Sequence, residues 1–222
     1  MAQLSEEFDY LRDMHRRLRD QISPELNLRT HRSIIWLSRA AALIEDDADA
    51  AFIFAWIAFN AAYAKNMDED PGSFARTNFQ KFFDALVRCD PNGRIAHEVW
   101  YQFEGVVSEL LNNRYIFSPF WKFHNGDPEY SNWELRFENA KKAAQYAIEG
   151  HETTKLLSIV FDRLYVLRNQ LLHGGATWNS KVNRKQVQDG AELLISLMPV
   201  FLETMITNPE ENWGDPYYPV VD

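Results

Sequence analysis

The stretch from Ala51 to Tyr63 constrains the fold of this chain more than any other, because apart from Asn60 it is apolar all round. Read as a helix it has no polar face to turn towards water, so it must be covered on every side. It is also shorter than the about 20 apolar residues that a membrane-spanning helix needs. It therefore reads as the central helix of a bundle. Helical periodicity recurs along almost the whole chain and few segments alternate with period two, which predicts an all-α fold. The spacing predicts helices over 3–21, 28–45, 48–65, 73–89, 94–112, 132–149, 152–173 and 184–207, forming a single bundle of seven to eight helices across 1–222. Asp70-Pro71-Gly72, Asp90-Pro91-Asn92-Gly93 and Asn125-Gly126-Asp127-Pro128 read as turns between helices, not as domain linkers. Asn183, with Gln186 three residues on, reads as the cap of the last helix, and Pro199 is expected to kink that helix. Residues 208–222, rich in proline and aromatics, read as an extended C-terminal arm.

Chemistry concentrates at the end of the 152–173 helix, in Arg168-Asn169-Gln170-Leu171-Leu172-His173 followed by Gly174-Gly175. Val160, Leu164, Leu167 and Leu171 recur at helical spacing and form one apolar stripe, and the paired glycines stop the helix. At about 100° per residue, Arg168 lies about 40° from Leu164 and flanks the core, whereas His173 lies about 180° away and points outward. Asn169 stands one turn before His173, where its amide can orient the ring. Phe161, Tyr165 and Leu172 widen the apolar arc beyond what one packing partner would bury, which predicts a second buried surface, read as a subunit interface. A fixed cation beside a titratable imidazole is what metal-free RNA cleavage requires: one group to hold phosphorane charge, one to move protons.

These residues resemble the motif of the HEPN superfamily, in which Arg and His are separated by four to six residues late in a helical domain. The likeness extends to His31 to Leu37, to Phe52 to Tyr63 with Trp56-Ile57-Ala58-Phe59-Asn60, to Arg163 to Arg168 and to Trp213-Gly214. The resemblance implies a HEPN-like core and a homodimer whose motif helices face each other across a composite cleft. It also implies a metal-independent endoribonuclease, of the kind that serves as a toxin or in phage defence, with an antitoxin or another protein as partner. His173 takes the place of the general acid or base, Arg168 that of the charge stabiliser, and Asn169 that of the orienting polar residue. Some relatives are inactive, so a non-catalytic dimer that binds a nucleotide or a protein partner stands beside the ribonuclease.

Composition sets limits around this site. A net charge of −9 argues against holding nucleic acid by bulk electrostatics, leaving room only for a local basic rim. Lys181, Arg184 and Lys185 follow the motif closely and are the candidate RNA contacts, although exposed Lys and Arg are usually solvated surface. Asn60 and Tyr165 are the candidate supporting residues. An amide buried at Asn60 must find partners, either a neighbouring carbonyl or the Arg168–His173 pair, since leaving it unpaired costs roughly 1–3 kcal/mol. No metal or cofactor is expected: the other five histidines lack His-x-x-x-His spacing, and Gly174-Gly175 lacks the pattern of a phosphate loop. Cys89 is the sole cysteine and reads as a buried thiol. Trp36, Trp100, Trp121, Trp133 and Trp178 read as core or interface before base-stacking platforms. With no signal-like start and no uninterrupted apolar run of 18 residues, the chain is expected to be cytoplasmic, with no membrane partner. At a helix C-terminus a histidine is also favoured simply as a cap, and Arg168 could simply pair with a carboxylate.

Overall fold

The computed structural model describes residues 2–63, 74–181 and 183–221, and these are helical with no strand among them. Their α-helices are α1 (Ala2–Leu18), α2 (Pro24–Leu43), α3 (Ala48–Tyr63), α4 (Phe74–Arg88), α5 (Arg94–His97), α6 (Glu104–Asn112), α7 (Ser118–His124), α8 (Trp133–Glu149), α9 (Thr153–Leu172) and α10 (Arg184–Thr207). The turn expected at Asp70 to Gly72 lies outside the described residues.

α2 and α3 form an antiparallel hairpin around small residues. Ala51, Ala55, Ala58 and Ala62 are fully buried, and the Ser33 hydroxyl donates to the Ala58 carbonyl at 2.8 Å. Small side chains at that seam let the two backbones approach closely. α10 packs against both helices, which is why it can be long and apolar enough to cross a membrane and yet have 78% of its most apolar window buried inside the fold. On the far side, α9 packs against α4 and α8. Aromatic rings fill the space between these layers: Phe161 lies 4.6 Å from Phe59 and 4.8 Å from Phe83, centroid to centroid. Arg29 is buried in this frame and donates to the carbonyls of Ala62 (2.5 Å), Trp213 (2.6 Å) and Gly214 (2.6 Å). It thus ties the end of α3 to the non-helical 208–221 arm, whose Trp213 is itself buried.

Several expectations need correction. α2 begins four residues earlier than the periodicity indicates, because Pro24 sits in its first turn and the Ser23 hydroxyl accepts from the Leu26 amide. The predicted 94–112 helix widens into a π turn at Glu98–Gln102 and breaks at Phe103, whose amide donates to the Glu98 carbonyl five residues back. α7 occupies a region read as loop, opened by Ser118-Pro119. Asn183 makes no side-chain cap and takes φ 54°. Cys89 is half-buried, with its thiol 3.8 Å from a Glu211 carboxylate oxygen. The second apolar surface of α9 is covered only in part within the chain: Phe161 is buried among rings of α3, α4 and α10, whereas Tyr165 is half-buried and Leu172 is exposed.

Candidate functional site

The end of α9 is fixed by backbone chemistry. Gly174 takes φ +71°, the Gly175 amide donates to Gln170 O at 2.7 Å, and the Gly174 amide to Leu171 O at 3.4 Å. That six-to-one and five-to-two pair is the Schellman closure, which needs a residue free to adopt positive φ. His173 is the last residue before the reversal, with its amide on Asn169 O at 2.9 Å. Its side chain is exposed, and its ring makes no hydrogen bond among the described residues.

Arg168 is half-buried. Its Nη1 donates to Asn169 Oδ1 at 2.9 Å, its Nε is enclosed without a partner, and no carboxylate pairs with it among the described residues. Asn169 therefore orients the arginine side chain, not the imidazole, and touches His173 only through its backbone. Tyr165, one turn earlier, is half-buried with its ring 6.1 Å from Trp56. Asn60 is half-buried, not enclosed. It follows Trp56 by four residues and precedes Tyr63 by three, which puts it on the α3 face that meets Tyr165, but it makes no hydrogen bond to Arg168 or His173. Burial, with the neighbouring Tyr165, pushes the Tyr63 phenol up to about 12.

The expected cationic rim is largely neutralised. Arg184 donates to Asp49 at 2.6 Å, while Lys185 reaches both Glu109 and Asp189 at 2.7 Å and is held protonated by them. Asp49 also accepts the Asn179 amide, and Asp47 the Trp178 indole N–H, so the loop after α9 is pinned to the start of α3. The cleft there, about 180 Å³, is lined by Glu45, Asp46, Asp47 and Asp49, and its charge repels phosphate. Only Lys181 of the three is exposed without a carboxylate partner among the described residues.

Gln170, inside the motif, received no role from the sequence, yet it organises the site. Its Nε2 donates to Tyr115 O at 2.6 Å and its Oε1 accepts from Asn183 Nδ2 at 3.0 Å. Asn183 Oδ1 in turn accepts from Asn113 Nδ2 at 3.5 Å, and Asn113 Oδ1 caps the Tyr115 amide at 2.8 Å. A closed set of amides thus locks the last turn of α9 to the turn at Arg114–Ile116. Nothing in one sequence pairs position 113 with position 183. Comparison with known protein families, curated proteins and solved structures finds no match for this chain.

Proposed function

We propose that this protein is a metal-independent endoribonuclease of the HEPN type, built on a HEPN-like core and working as a homodimer. One observation carries this: the Arg168 guanidinium is held by an amide, with no carboxylate on it among the described residues, five residues before an exposed imidazole. A guanidinium without a carboxylate keeps its forked donors for phosphate oxygens. The 2′-hydroxyl of the substrate attacks the adjacent phosphorus as its proton passes to a neutral imidazole. The P–O5′ bond then breaks as an imidazolium protonates the leaving oxygen, giving a cyclic phosphate and a free 5′-hydroxyl. Arg168 stabilises the phosphorane in between. Two copies supply both imidazoles, and Leu172, 49% exposed beside His173, offers an apolar contact at their junction.

Purified protein incubated with single-stranded RNA in EDTA is expected to yield fragments ending in cyclic phosphate. His173→Ala should abolish cleavage with fold and dimer intact, and DNA should resist for want of a 2′-hydroxyl. A magnesium requirement, activity that survives His173→Ala, or inertness towards a broad RNA panel would instead favour a non-catalytic dimer that binds a nucleotide or protein partner. A monomer at micromolar concentration by sedimentation would overturn the two-copy site.

A further inference from the structure

Next to the motif stands a surface that lies outside the expected site. Between Asn113 and Lys142 the chain carries five Lys or Arg against four Asp or Glu, although its overall charge is −9. In this segment α7 and α8 enclose their own small aromatic core of Phe117, Phe120 and Trp133, separate from the main one. Around it, Tyr115 (43%), Trp121 (37%) and Phe123 (37%) are exposed. They are not loose. The Trp121 indole N–H donates to Tyr115 O at 2.7 Å, and both rings stand edge-on to buried Phe120, at 5.1 Å and 5.4 Å.

Two exposed cations of this segment, Arg114 and Lys122, have no carboxylate partner among the described residues, and Arg114 donates to the Tyr115 phenol at 3.0 Å. Arg114 lies over the Tyr115 ring at 5.0 Å and Lys122 over the Tyr130 ring at 4.6 Å, its ammonium donating to that phenol at 2.8 Å. Arg184 and Lys185 in the same acidic chain are quenched by carboxylates. Rigid exposed rings flanked by unquenched cations match a ligand made of π-faces joined by phosphates. Duplex does not fit, because its bases are already stacked and their faces hidden. The same Tyr115 carbonyl that holds Trp121 also accepts from Gln170, three residues before His173.

We infer that Tyr115 and Trp121, with Arg114 and Lys122, form a stacking platform that binds unpaired bases of a single-stranded RNA and leads its backbone to the end of α9. The inference rests on the ribonuclease proposal for the use of the platform, but the binding itself does not require cleavage. Rings already held in place lose little freedom on binding, so each stacked base contributes most of its intrinsic affinity.

The test uses the full chain carrying His173→Ala and a fluorescent 12-nucleotide single-stranded RNA, with affinity read by anisotropy and Trp121 quenching as a second signal. Tyr115→Ala and Trp121→Ala are each expected to weaken binding about tenfold or more, and Trp121→Phe to restore most of it. Arg114→Glu and Lys122→Glu, both at exposed positions, should weaken binding and flatten its salt dependence, which keeps the test open if a ring deletion unfolds the protein. Single-stranded DNA of the same length should bind comparably, and duplex RNA should not. Undetectable RNA binding, equal affinity for duplex, or variants that fold and bind unchanged would overturn the platform; so would a charge-reversed variant that binds RNA normally but loses a dimer contact. Ring-dependent binding in a wild-type chain that never cuts RNA leaves the platform standing and removes the nuclease. Cleavage dependent on His173 but indifferent to Tyr115 and Trp121 does the reverse.

Discussion

Asn169→Asp puts the role of Arg168 to a direct test. The substitution leaves size and shape almost unchanged and replaces the oxygen 2.9 Å from Arg168 Nη1 with a carboxylate oxygen. Two unit charges about 4 Å apart attract by about 1 kcal/mol in water and about 4 kcal/mol near a protein surface. Arg168 is half-buried with an enclosed Nε, so the appropriate value lies between these limits, at about 2–3 kcal/mol. A phosphorane that needs this guanidinium must compete with the new carboxylate, so the barrier rises by a similar amount. At about 1.4 kcal/mol per tenfold, kcat/KM should fall about 30- to 150-fold. Asn169→Ala loses only an orienting bond worth about 1 kcal/mol, and should cost about fivefold. Initial rates on a labelled single-stranded RNA in EDTA, with thermal melts as control, should therefore rank wild type above Ala above Asp. Stability of the Asp variant should be unchanged or raised by less than about 1 kcal/mol, since desolvating and ordering the pair offset most of its attraction in folding. An Asp variant that cuts as fast as the Ala variant would refute the claim that Arg168 meets phosphate.

Other perturbations address the frame. Arg29→Met strands three carbonyls that accept from a buried cation and should cost about 3–5 kcal/mol in denaturant unfolding, but less in a chain lacking the 213–221 arm, where only the Ala62 carbonyl loses its donor; an equal loss in both would refute the clamp. Burial lowers the Arg29 guanidinium to about 10, so it remains charged at neutral pH. Gly190→Ala sets a helix-propensity gain of about 1 kcal/mol against a Cβ placed 3.0 Å from both Leu164 and Phe52, which are fully buried and cannot yield. Overpacking of about 1–3 kcal/mol should win, lowering Tm by a few degrees, and a higher Tm would contradict it. Burial lowers the pKa of His15, with His31 stacked on it at 5.9 Å adding to the effect. Since the unfolded state then binds more protons, the His15 contribution is intact above about pH 6.5 and declines as pH falls below that value. His15→Gln should show a smaller drop in Tm between pH 7 and pH 5 than wild type, and parallel profiles would count against it.

How far these features could be read from the sequence depended on how local their cause was. The apolar Ala51 to Tyr63 stretch and the Gly174-Gly175 stop are local patterns, and both were legible, since periodicity and positive φ act within a turn or two. Ser23-Pro24 and Ser118-Pro119 are local as well, and attending to proline in a helix's first turn would have recovered the true start of α2 and the existence of α7. The environment of charges was not legible. Lys181, Arg184 and Lys185 look alike in sequence, but only a folded chain brings Asp49 to Arg184 and Glu109 to Lys185. Tryptophan raises the same difficulty: Trp213 is buried and Trp121 is exposed, and neither composition nor spacing separates them. In the amide set, Gln170 joins Tyr115 and Asn183 across gaps of 55 and 13 residues, and this couples the two unreadable features to the readable one. The consequence is that Gln170→Ala should lower affinity for single-stranded RNA and slow cleavage together, because it releases the ring platform and the motif turn at once. A variant that slows cleavage while binding RNA as tightly as wild type would show that the amide set serves the motif alone.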